Sequence, residues 1–147
     1  MKTSKEVKIN FRVEVGSDGY PPVAVESLWA QPVNDGYVID SIPFFTSDTT
    51  SGDRIHAQLG DADALWFAGV VERSGNSLIR VVFFDLTCED VIALRLKEMG
   101  CGTERMPQFK LMAIDIPQRV RLAEVQAYLR DKASEGLIDY EEPILRQ

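Results

Sequence analysis

The chain has one histidine, His56, two cysteines, Cys88 and Cys101, and very few basic residues in its N-terminal half. Each scarcity removes a class of function. Catalytic zinc draws on about three protein ligands rich in His or Cys, and one His with two separated Cys offers no such spacing, so no metal is expected. Two thiols do not make the disulfide framework of a small secreted domain; they read as reduced cysteines of a cytoplasmic protein. The longest apolar or small-residue run, Ala64 to Val71, falls far short of the roughly 18 residues of a membrane-spanning helix. Lys2 and Lys5 are followed by the alternation Val7, Ile9, Phe11, Val13, Val15, which is unlike the continuous apolar stretch of a secretory signal.

Phosphate-cradling motifs are missing as well. Neither GxxxxGK[ST] nor GxGxxG occurs, and Gly100-Cys101-Gly102 reads as a helix stop. The acidic stretch from Asp48 to Asp53 lacks the regular oxygen ligands of a calcium loop. No cofactor is expected.

The shortage of bases is local. Residues 13 to 72 hold ten acids against one base, Arg54, whereas residues 73 to 147 hold twelve acids and eleven bases. The first twelve residues carry a net charge of +3, within a total of -7. An acidic half repels a phosphate backbone and attracts basic surfaces, so nucleic acid is excluded and a basic protein partner is favoured.

What is present describes an ordinary globular chain: 147 residues, 45% hydrophobic and 27% charged, a length that buries roughly 70% of its unfolded surface. The expected organisation is a single α+β domain, residues 7–72 mainly strands and residues 73–147 two helices on a sheet. Val7 to Val15 alternates with period 2, and Val23 to Gln31 is joined by the Asn34-Asp35-Gly36 turn to Tyr37 to Ile42. Thr46 to Gly52, polar and without an apolar anchor, is the expected mobile loop. Arg54 to Leu59 forms a fourth strand, and Leu65 to Glu72 pairs through Ser74-Gly75-Asn76 with Leu78 to Asp85 as a second hairpin.

After Asp85 the period changes. Thr87 and Asp90 suggest a capping box for a helix that buries Cys88, Ile92, Leu96 and Met99. Glu104 to Ile116 reads as one strand, Pro117 opens a second helix with Leu122, Val125 and Leu129 on one face, and Ile138 to Leu145 returns as an edge strand that tolerates Pro143. The fold class is therefore α+β: an N-terminal antiparallel barrel-like half, continuous with a C-terminal β-α-β-α-β (ferredoxin-like) layer.

Gly19-Tyr20-Pro21-Pro22-Val23, Glu26-Ser27-Leu28-Trp29-Ala30, Ile42-Pro43-Phe44-Phe45, Gly52-Asp53 and Ser74-Gly75, with Arg80, Gly100-Cys101 and Glu104, resemble a bacterial family known only as a domain of unknown function. The resemblance spans about Val7 to Glu142 and implies no activity, ligand or catalytic residue.

Several side chains are candidates for a site. His56 beside Asp53 could serve as general base and orienting carboxylate, with a serine or Cys88 as nucleophile, but no nucleophile-elbow motif supports the set. Trp29, Phe45 and one of Trp66 or Phe67 are assigned to the core. Tyr20 and Phe44, each beside prolines, are assigned outward as anchors of a protein-binding patch with Asp35, Asp48, Asp53 and His56. Arg80 lies in an apolar strand and needs a carboxylate, for which Glu26 and Glu104 are the candidates. The expected function is a non-catalytic acidic protein-binding module, of inhibitor or immunity type, for a basic partner. The alternatives are a small-molecule-binding regulatory domain with a pocket between the two layers, and an enzyme with a site near Asp53 and His56.

Overall fold

The computed structural model describes residues 5–147; residues 1–4, on which part of the argument against a secretory signal rests, lie outside them. Nine strands and two α-helices form among the described residues, and the chain divides into two compact units between Ser74 and Gly75.

The first unit is a five-stranded meander closed into a barrel. Its strands are β1 (Val7–Arg12), β2 (Val25–Val33), β3 (Gly36–Ile39), β4 (Arg54–Leu59) and β5 (Leu65–Glu72). Successive strands pair antiparallel, and a short parallel pairing of β1 with β5 closes the ring. Closure pairs every strand on both sides, so the barrel leaves no free sheet edge. Alternation sets the core: Ile9 and Phe11 of β1, Leu28 and Ala30 of β2, Ile39 and Ile55 are all buried together. Phe67 stacks on Phe11 with ring centroids 4.8 Å apart. The Asn34-Asp35 turn joins β2 to β3 as the sequence requires, with Val33 opposite Gly36. Gly36 has φ +113°, and a Cβ there would run into the Ile55 carbonyl.

The second unit is a four-stranded antiparallel sheet. In chain order it runs β6 (Ser77–Phe83), α1 (Glu89–Glu98), β7 (Gly102–Met106), β8 (Leu111–Ile116), α2 (Leu122–Ser134) and β9 (Ile138–Ile144). The spatial order β7-β8-β6-β9 is that of a ferredoxin-like layer. Ile92 and Leu96 of α1 and Val125 and Leu129 of α2 pack with Ile79, Val81, Phe83, Met112 and Ile114 in one core.

Four expectations are corrected. β5 and β6 form no hairpin: β5 pairs with β1 and β4, β6 with β8 and β9. Glu104 to Ile116 is two strands, because Pro107 starts a 3₁₀ turn and Lys110 takes a left-handed conformation at φ +56°, folding β7 back on β8. The unit is thus β-α-β-β-α-β. Pro117 sits in the turn before α2, where its carbonyl accepts from Val120 N–H. Asp85 is the cap at the start of the first helical segment, in place of the Thr87 and Asp90 box. Its carboxylate accepts from the Thr87 backbone N–H at 2.9 Å and from the Thr87 hydroxyl at 2.6 Å, and those bonds hold its pKa below the ordinary value.

Candidate functional site

Glu26 sits at an inward position of β2, in phase with Leu28 and Ala30, and is buried. A buried carboxylate requires donors, and three consecutive backbone N–H groups supply them. Phe44 N–H donates to Oε2 at 2.6 Å, while Phe45 and Thr46 N–H donate to Oε1 at 3.1 and 2.8 Å. The segment after Pro43 is thereby held on β2, and with it the aromatic rings: Phe45 is buried, Tyr20 meets it edge-on at 6.2 Å, and Phe44 lies tilted at 6.4 Å. Tyr20 is half exposed, as the proline-rich turn implies, but Phe44 is half-buried. Its backbone, more than its ring, is what the structure uses.

Asp53 is fully buried. Oδ2 accepts from the Thr49 hydroxyl at 2.8 Å and Thr50 N–H at 3.1 Å; Oδ1 accepts from Ser74 N–H at 2.8 Å and the Ser74 hydroxyl at 3.0 Å. Both oxygens are occupied in bracing the 49–53 loop, so Asp53 presents nothing to a partner. The same bonds correct the expectation of a mobile loop. Thr46, Thr49 and Thr50 are buried; Glu26 accepts from the Thr46 N–H, and Asp53 from the Thr50 N–H and the Thr49 hydroxyl.

His56 lies on the outer phase of β4, exposed, opposite Gly69. The carboxylate proposed to orient it faces Thr49, Thr50 and Ser74 instead, so the structure does not assemble a His56 and Asp53 pair. The thiols are also poor nucleophiles. Burial pushes Cys88 up, aided by Asp85, and pushes Cys101 up to about 11, which keeps both protonated near neutrality. Beside Cys101, Asp115 is raised to about 6 by burial, against the opposing effect of a hydrogen bond from Asn76. Its Oδ1 is buried without a hydrogen-bond partner.

The remaining acids of the barrel face water. Glu14, Asp18, Asp35, Asp40, Asp48, Asp61, Asp63 and Glu72 are exposed. Arg54 does not offset them freely, since it pairs with Asp35 at 2.9 Å and Glu72 at 3.4 Å. Trp29, expected in the core, is instead 48% exposed. The phase of β2 explains the correction, because Glu26, Leu28 and Ala30 point inward and Val25, Trp29 and Val33 must point out. Lys8, opposite Trp29 on β1, lies 5.4 Å from its ring centroid.

Arg80 is 6% exposed and pairs with Glu141 of β9 at 3.2 Å, a partner the sequence reading did not name. The β7-β8-β6-β9 order places Glu104, Ala113, Arg80 and Glu141 in one transverse row, so Glu104 does share the sheet position that made it a candidate. Glu26 is engaged by the backbone of residues 44–46. Among the described residues no group of three or more His, Cys, Asp or Glu side chains is arranged to hold a metal ion.

A family model described as a domain of unknown function, DUF4265, matches residues 26–140. The fold is shared with a solved structure described as a novel crystal structure of a hypothetical protein from Neisseria gonorrhoeae. That protein is 18% identical, with a TM-score of 0.81 over 99% of this chain and 99% of that one. No curated protein matches the chain.

Proposed function

The chain belongs to the DUF4265 family, and from that premise we propose that it is a non-catalytic protein-binding module whose acidic barrel docks a basic partner. The observation that carries the reading is the outward row of β2, where Val25, Trp29 and Val33 are 42%, 48% and 43% exposed on a barrel bearing eight exposed carboxylates. An exposed tryptophan is a frequent anchor of protein interfaces. Lys8 lies over the indole and Asp40 bonds the Trp29 carbonyl through its backbone N–H, while the exposed carboxylates of the barrel as a whole favour encounter with a basic surface. Tyr20 adds a second exposed ring. The reading extends to an inhibitor of immunity type, a small acidic chain that covers a basic protein's working surface. It is favoured over an enzyme near Asp53 and His56 because both Asp53 oxygens are already engaged, one by Thr49 and Thr50 and the other by Ser74.

A photo-crosslinking residue placed at position 33, compared with one at position 130 on α2, tests the reading in cells. Crosslinks to a basic protein from position 33 alone support it. Equal yields from both positions, or none from either, contradict it.

A further inference from the structure

The barrel carries a second feature that the docking reading does not use. A cleft of about 480 Å³ is lined by Arg12, Gln58, Leu59, Gly60, Asp61 and Trp66, among other residues. Register builds it. Asn10 and Gln58 flank Trp66 on the outer face of the barrel, and Arg12, two residues beyond Asn10, reaches it diagonally. The Arg12 guanidinium lies 4.3 Å from the Trp66 ring centroid. Gly60 abuts the indole so closely that a Cβ there would be 2.8 Å from Cδ1. Gly60 thus packs against the indole, and the guanidinium stacked on that ring keeps its N–H fork available at the rim.

Asp61 follows Gly60 at the head of the 3₁₀ turn joining β4 to β5, with its carboxylate exposed. Arg12 and Asp61 line the same cleft, yet neither has an ion pair among the described residues. They are thus more than 4 Å apart, and a ligand bearing both charges could join them. A carboxylate accepting from the Arg12 guanidinium and an adjacent ammonium donating to the Asp61 carboxylate would join the two through hydrogen bonds of ordinary length. Leu59, 66% exposed, and the indole of Trp66 offer apolar surface to whatever else the ligand carries.

We propose that the Arg12, Asp61 and Trp66 cleft binds a free α-amino acid with an apolar side chain, the carboxylate on Arg12, the ammonium on Asp61 and the side chain against Leu59 and Trp66. This reading uses none of the β2 side chains of the docking proposal, although Arg12 lies opposite Val25 in the β1–β2 register.

L-Leucine titrated into the full chain carrying Trp29→Phe, which leaves Trp66 as the tryptophan reporter, provides the test. Saturable change in Trp66 fluorescence is expected. N-acetyl-leucine, which lacks the cation, and leucinamide, which lacks the carboxylate, should each bind at least about tenfold more weakly. Arg12→Gln should weaken both leucine and N-acetyl-leucine, and Asp61→Asn should weaken leucine while leaving N-acetyl-leucine unchanged. Both residues are exposed, so folding should be retained, and the two ligand analogues probe the same contacts without any substitution there. No saturable response to leucine, or equal binding of all three ligands, overturns the proposal.

Discussion

Asp53 Oδ1 accepts hydrogen bonds from both the backbone N–H and the hydroxyl of Ser74, at 2.8 and 3.0 Å, across 21 residues of sequence. With Thr49 and Thr50 on the other oxygen, the carboxylate joins the loop before β4 to the residue that ends the first unit.

Asp53→Ala should therefore destabilise the fold by about 2 to 4 kcal/mol, since buried donors lose their acceptor. Asp53→Asn, which keeps one carbonyl oxygen, should cost less. His56→Ala, on the exposed phase of β4, should stay within about 0.5 kcal/mol of the parent. Urea unfolding of the three variants measures all of this, and a loss in His56→Ala equal to that in Asp53→Ala would show that the two residues act as a unit.

Glu26 behaves alike. Its replacement by Ala leaves the N–H groups of Phe44, Phe45 and Thr46 without their acceptor and should cost roughly 2 to 4 kcal/mol, with Glu26→Gln intermediate. Amide hydrogen exchange at residues 44–46 should accelerate in Glu26→Ala before the rest of the barrel is affected.

The strand phases were legible in the sequence wherever alternation was unbroken: Ile9 and Phe11, or Leu28 and Ala30, are inward as their period requires. The same phase places Trp29 outward, since Leu28 and Ala30 on either side point in. The loop from Thr46 to Gly52 looked mobile because its anchors are not apolar. Glu26 lies twenty residues before Thr46 and Asp53 directly after Gly52, but a carboxylate that binds a loop's own N–H and hydroxyl groups leaves no mark in composition. Likewise Glu104 to Ile116 hid a hairpin whose turn depends on Lys110 at φ +56°, a conformation that no residue-type preference announces for lysine. Arg80 in an apolar strand announces the need for an acid, but the pairing with Glu141 is set by the β6–β9 register, which one strand's sequence cannot specify.

Asp115 should make stability depend on pH. Its folded-state value of about 6 lies above the ordinary 3.8, so the folded chain holds this proton more tightly than the unfolded one. Stability should fall as pH rises from about 4 to about 6, and the cost should persist above that window. Asp115→Asn should be more stable than the parent by about 1 to 2 kcal/mol at neutral pH, the full shift being reduced for solvent access, and should lose that advantage near pH 4. Urea midpoints at the two pH values check the sign.

Cys101, pushed up to about 11, and Cys88, raised by burial, should alkylate slowly at neutral pH. Iodoacetamide labelling followed by mass spectrometry should show both sites reacting more slowly in the folded chain than in urea. Rapid labelling of Cys88 in the folded state would restore it as a nucleophile.

The docking account is tested most directly by salt-stepped capture on the tagged chain, comparing the parent with Trp29→Ala and with Asp48→Asn combined with Asp40→Asn. The account expects a basic protein retained by the parent and released as salt rises through the physiological range. Trp29→Ala should lose about tenfold or more of its affinity, and the Asn variant should show a shallower salt dependence. A retained set that is the same for all three proteins at every salt step would contradict it.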